Sequence, residues 1–214
     1  ISRISTTYPN TQFRVLAAGE SAIATIEDLS GVPIGVSKGT IIAYVTEAML
    51  AAEGLAPGEI ETLAVPKIPE RMALLDAGDL RAATLPEPLA SLAMDRGARL
   101  VVDDRAHPAV SASLYAFRTP AIEDRPDAVA AFVQAVDEAS REINADPTVW
   151  GDLLRDKALV PPDLAVDYTL PTYPSAAVPD RAQFADVTGW LRATDRLDVP
   201  PAYEEVITDR YLAE

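Results

Sequence analysis

The stretch Gly31-Val32-Pro33-Ile34-Gly35-Val36-Ser37-Lys38-Gly39-Thr40, running into Ile41 to Ala52, restricts the fold more than any other part of the chain. Val32 to Val36 is a short, β-branched apolar run and reads as a strand. Ser37 to Thr40 has the small, polar composition of a tight turn. Beyond it Ile41, Val45, Ala48, Met49 and Ala52 recur at helical spacing, and Gly54 is placed to end that helix. A strand that passes to a helix through so short a turn leaves several amide N–H groups at the helix start without partners. With the positive end of the helix dipole, those donors favour an anion or a ligand oxygen. The hydroxyls of Ser37 and Thr40 either cap the helix, as such residues commonly do, or face a ligand.

The same alternation continues downstream. Glu61 to Val65 reads as a strand, and Pro69 opens a helix that ends near Ala77. Leu80 to Leu85 is a further strand, stopped by Pro86-Glu87-Pro88. Leu89 to Arg96 is a helix closed by Gly97, and Leu100 to Asp104 is again a strand. Strand alternating with helix predicts a parallel sheet with right-handed crossovers. Upstream, Tyr8-Pro9-Asn10 is expected to turn, Phe13 to Ala18 to form a strand, and Thr25 to cap a short helix ending at Ser30. After His107-Pro108 the pattern changes. Ser111 to Phe117 alternates as a strand and leads into a turn at Arg118-Thr119-Pro120. A long helix follows from Arg125, with Val129, Phe132, Val133, Val136 and Ile143 on one face. Trp150 to Asp156 is a shorter helix and residues 160–180 a Pro-rich loop. Phe184 to Thr194 and Tyr203 to Leu212 complete the helices.

Composition limits the partners. The formal net charge of −15 argues against nucleic acid and anionic membrane surfaces, which need basic stripes. It leaves room for an anionic small ligand, because local amide dipoles and one lysine can overrule a distant field. The 214 residues hold no cysteine and one histidine, His107. Disulfides, thiolate metal sites and His-rich sites are therefore excluded, and no cofactor is expected. No apolar run reaches membrane-spanning length. Because the chain opens on Ile1, almost in mid-sheet, it is expected to be a processed or shortened product.

In a parallel sheet, ligands sit outside the carboxyl ends of the strands. Those ends carry Ser37 to Thr40, Pro66-Lys67, Thr84 to Pro88 and Asp103-Asp104. Lys67 either neutralises an anionic ligand or is an exposed loop lysine. Thr84 and Glu87 are candidates to hydrogen-bond a ligand, although Glu87, held between two prolines, also reads as a solvated turn residue. Asp103, Asp104 and Glu87 lack the spacing and the histidine partner of a metal site. Tyr8 and Tyr115 are associated with lobe-connecting strands, and either stack on a ligand or pack into a core. His107 marks a hinge; as a catalytic group it has only Asp103 or Asp104 to work with.

The run Ile26 to Thr40 (IEDLSGVPIGVSKGT) resembles a stretch typical of the substrate-binding proteins of ABC transporters. The branch it is similar to is the nitrate/sulfonate/taurine and thiamine-pyrimidine type. The likeness continues through Ala48-Met49-Leu50-Ala51-Ala52-Glu53-Gly54-Leu55 and through Ala73 to Pro88 (ALLDAGDLRAATLPEP). The resemblance implies an α/β fold of the type II periplasmic-binding-protein kind, with parallel or mixed sheets flanked by helices. Two lobes would be present: residues 19–106 as one, residues 1–18 plus 107–214 as the other. Members of that family carry further βαβ units ahead of the point where this chain starts, so the first lobe is expected to be incomplete. By resemblance Ser37, Gly39, Thr40, Thr84 and Glu87 line the ligand cleft. The implied function is binding of a small anionic or heteroaromatic solute by lobe closure for a membrane permease, outside the cytoplasm and lipid-anchored or periplasmic, with homodimerisation through the incomplete lobe. The rivals are an enzyme of the same fold, of the pyrimidine-precursor or menaquinone-pathway type, and the effector domain of a regulator.

Overall fold

The computed structural model describes residues 2–8, 13–111, 113–162, 164, 168, 170, 172, 173 and 177–212. In chain order the strands are β1 (Ser2–Tyr8), β2 (Phe13–Ala17), β3 (Ile34–Val36), β4 (Thr62–Ala64), β5 (Ala82–Pro86), β6 (Arg99–Asp103) and β7 (Ser113–Arg118). The helices are α1 (Ile41–Ala52), α2 (Ile68–Asp76), α3 (Leu89–Asp95), α4 (Thr119–Asp124), α5 (Pro126–Ala145), α6 (Gly151–Asp156), α7 (Arg181–Ala193) and α8 (Tyr203–Val206). They fall into two compact units, one made of Thr11–Ser111 and Gly151–Tyr168, the other of Ile1–Asn10, Ala112–Trp150 and Thr169–Glu214.

The first unit is built on a five-stranded sheet in the order β4-β3-β5-β2-β6. β3 runs parallel to β4 and β5, and β2 runs antiparallel to β5 and β6. The sheet is therefore mixed, where the βα alternation alone predicts a parallel one. β2 also belongs here and not with the opposite lobe, to which residues 1–18 were expected to go. The reason is burial: Val15, Leu16 and Ala17 are fully enclosed, which requires neighbours on both edges and both faces. Successive side chains alternate between the faces. Leu16, Ala83 and Leu85 pack with Met72 and Leu75 of α2 and Ala90, Leu92 and Ala93 of α3. Thr84, between Ala83 and Leu85, turns the other way and meets Thr46 of α1.

The second unit carries the antiparallel pair β1–β7. Ile122, Val129, Val133 and Tyr211 form its apolar centre. Phe132, although partly exposed, packs edge-on against both Tyr115 and Phe117, at 5.1 and 5.5 Å between ring centres. Arg118-Thr119-Pro120, expected as a turn, instead enters α4, with Pro120 in the first helical turn, where its missing N–H is tolerated. The last helix covers Tyr203–Val206 alone, not Tyr203 to Leu212. Beyond it Ile207 and Tyr211 are both buried, and Tyr211 Oη donates to Ile122 O at 3.4 Å. The short helix from Thr25 to Ser30 is a single 3-10 turn, Glu27–Leu29. Asp28, not Thr25, holds its start, accepting from the amides of Ala24 and Thr25 at 2.9 Å each. The expected Pro9-Asn10 turn and much of the Pro-rich loop lie outside the described residues.

Gly35 in β3 has a packing role. A Cβ built there would stand 2.9 Å from Leu80 Cδ1 and 3.2 Å from Arg71 Cγ. Gly35→Ala is expected to destabilise the protein by about 1–3 kcal/mol through overpacking, measured by urea denaturation; an unchanged midpoint would show that the α2 face yields freely.

Candidate functional site

The three parallel strands β3, β4 and β5 deliver their carboxyl ends to one edge of the sheet. There Thr40 is the N-cap of α1: its Oγ1 accepts from Ile42 N at 3.2 Å and donates to Ser37 O at 2.8 Å. Capping settles one of the two roles open to Thr40, because its single proton and the cap lone pair are both engaged. Ser37 is buried, at 8% exposure, and its Oγ donates to Pro66 O at 3.1 Å. Neither hydroxyl proton is available to a solute. The amides are a different matter. Among the described residues no protein oxygen accepts from the backbone N–H of Gly39, Thr40 or Ile41. Gly39 takes φ +74°, a left-handed conformation that glycine adopts without strain, and Lys38, Thr40 and Ile41 are exposed.

Beneath the turn lies Arg71, which is fully buried. Its Nε and Nη2 donate to Val65 O at 2.9 and 2.7 Å, and Nη1 donates to Thr84 O at 2.7 Å. A second Nη2 proton goes to Ser37 Oγ. One guanidinium thus joins the ends of β3, β4 and β5. No carboxylate lies within ion-pair distance of it among the described residues. Burial pulls its pKa down to about 10, which still leaves it charged at neutral pH. The sequence reading missed this residue. Its signal was an arginine in the apolar stripe of α2, three residues after Ile68 and four before Leu75.

Thr84 is wholly enclosed, and its Oγ1 lies 2.6 Å from Thr46 Oγ1. Thr46 gives its own proton to Ile42 O at 2.6 Å, so Thr84 supplies the proton between the two hydroxyls. Lys67 is exposed at the start of α2 and caps nothing with its side chain. The side chain of Tyr8 lies outside the described residues. Tyr115, half-buried, belongs to the second unit and packs edge-on to Phe132. His107 is far from the turn: its Nε2 pairs with Glu53 Oε1 at 2.7 Å, at the C-cap of α1. The twelve residues of α1 separate the two ends by roughly 18 Å at 1.5 Å per residue.

Glu87 is no solvated turn residue. Its carboxylate is 6% exposed and pairs with Arg14 Nη2 at 2.8 Å, while Oε2 accepts from Ser91 N at 3.3 Å. Arg14 is a second residue that local pattern did not disclose, since its side-chain partners Glu87, Ser91 and Met94 lie more than seventy residues away, in the segment after β5 and in α3. Next to it, burial pushes the Asp103 carboxyl up, but the hydrogen bonds and charge of Arg105 outweigh this and hold it below its ordinary value. Asp104 accepts from Phe13 N at 3.0 Å and Ser111 Oγ at 2.7 Å. Among the described residues the His107 ring pairs with Glu53 and hydrogen-bonds to neither aspartate.

Two outcomes are expected. Arg14→Met strands a buried carboxylate and costs about 3–5 kcal/mol, whereas Arg14→Met with Glu87→Gln costs less than the sum, as a denaturation cycle would show. A folded pKa below the unfolded one means that the Asp103 contribution is present above the unfolded value and lost as pH falls through the folded one. Arg105→Ala should therefore move acid unfolding, followed by circular dichroism, to higher pH.

Residues 5–149 match the sequence profile of the NMT1-like family. A comparison with curated protein sequences returned no match. Among solved structures the fold is similar to the alkanesulfonate-binding protein SsuA from Xanthomonas axonopodis pv. citri bound to MOPS. The identity is 22% and the TM-score 0.77, over 97% of this chain and 73% of that one. It is similar also to the periplasmic aliphatic sulphonate binding protein SsuA from Escherichia coli, with 17% identity, a TM-score of 0.78, and 97% and 68% coverage. The desulfurization enzyme DSZB shares the fold at 18% identity and TM-score 0.67, over 98% of this chain and 77% of the enzyme. With well over half of its length matched and a mixed α/β architecture in common with these proteins, the chain belongs to the NMT1-like family and has the fold of the type II periplasmic binding proteins.

Proposed function

We propose that this chain is the solute-binding component of an ABC importer and holds a small anionic solute, with sulfonates the class to test first. The observation that carries the reading is the group of unengaged amides of Gly39, Thr40 and Ile41 at the N-terminus of a three-turn helix, on a turn whose residues Lys38, Thr40 and Ile41 are exposed. Such donors, backed by the helix dipole, bind oxyanions without any proton transfer. The family match and the sulfonate-binding neighbours support the same class of ligand. Binding is proposed to proceed by lobe closure, with release to a permease at the outer face of the cytoplasmic membrane. Among the described residues no helix is long and apolar enough to cross a membrane.

An enzyme of the same fold is the second reading, favoured by the likeness to the desulfurization enzyme. Against it stands the acid–base inventory, for His107 is held by Glu53 at the end of α1 remote from the turn. Incubation with an aromatic sulfinate and assay for released sulfite separates the two: sustained turnover would replace the receptor reading.

The direct test is thermal shift and calorimetry of the protein with an alkanesulfonate, nitrate and an aminopyrimidine. A sulfonate is expected to raise Tm, and Gly39→Val to remove that rise. The substitution forces a β-branched residue to φ +74° and re-aims the amides, with a modest loss of basal stability. A full sulfonate response in Gly39→Val would sink the turn as the binding element.

A further inference from the structure

We infer that Arg71 is the residue that sets the charge preference of this site, and that it acts through Ser37 without touching the solute. The inference rests on the proposed site at the 37–41 turn and adds the residue that makes it select anions. Three observations carry it. The guanidinium is fully buried and has no acidic partner among the described residues, so its positive charge is uncompensated by any side chain. It is directed at the turn, since Nη2 donates to Ser37 Oγ and Ser37 O receives the Thr40 hydroxyl. The charge itself is held in the low-dielectric interior and not among mobile ions, so it is fixed in place beneath the turn.

Tying carbonyls together does not require a charge. The two acceptors Val65 O and Thr84 O could be met by neutral donors, yet an ion is kept where an unpaired charge is costly to bury. A chain with net charge −15 repels anions at long range, so a local cation is needed to reverse the sign at the turn. The exposed Lys38, inside the turn, is the rival source of that charge. Being solvated, it is the weaker one.

The test compares dissociation constants for an alkanesulfonate and for the neutral sulfonamide of the same chain length. The native protein is expected to prefer the sulfonate. Arg71→Gln should lower that preference at least about tenfold by weakening the sulfonate alone, since each tenfold is one RT ln 10 step. Arg71→Lys, which keeps the charge, should recover most of the preference. A purely structural role would weaken both probes together, and that result overturns the inference, as does a folded Arg71→Gln protein with its preference intact. Lys38→Ala gives an independent reading should Arg71→Gln not fold: a retained preference supports Arg71, and a lost one reassigns the charge to Lys38. If the native protein binds neither probe, the proposed site falls and this inference falls with it. If it binds both and Arg71→Gln leaves the ratio unchanged, only the inference falls.

Discussion

The guanidinium of Arg71 is the interaction on which the organisation of this sheet edge depends. Carbonyl oxygens at the ends of parallel strands need partners once the ladder stops. Val65 O and Thr84 O find theirs in one side chain, and Ser37 Oγ is held by the same group. The aliphatic stem of Arg71 lies against β3 because Gly35 has no side chain to displace it. A rigid edge results, and from it the turn between β3 and α1 is projected into solvent.

That rigidity has a chemical consequence. The hydroxyls of Ser37 and Thr40 are consumed in building the turn, so their role is to hold amides in place. Thr84 similarly locks α1 to β5 through Thr46. The groups left over are backbone N–H donors whose directions are fixed by the fold. Preorganised amides suit reversible oxyanion capture, because ordering them costs nothing at the moment of binding. The pair Arg14–Glu87 braces the neighbouring strand ends and orders the loop after β5.

Fold alone does not separate receptors from enzymes, and proteins of both kinds share this one. What separates them is the placement of acid–base groups. Here the sole histidine is spent at the far end of α1, and Asp103 and Asp104 are occupied by Arg105, a backbone amide and Ser111.

Local pattern was enough to place most elements. β3, α1, α2, α3 and β7 lie within a residue or two of where periodicity and the Gly and Pro stops put them, because these signals act over a single turn or strand. Capping by Thr40 was one of two options legible in the residues themselves. Pairing was not legible. The insertion of β2 between β5 and β6, which makes the sheet mixed, is decided by which edges can bury Val15 and Leu16 on both sides. The inward turn of Thr84 follows from a β-strand parity that only the packed sheet fixes. Arg14 and Arg71 acquire their roles from acceptors far away in the chain. The sequence by itself determined the strand–turn–helix and its free amides, since backbone geometry there is local. Tertiary structure alone decided which charges surround them, because burial and partners belong to the assembled sheet and not to any one segment.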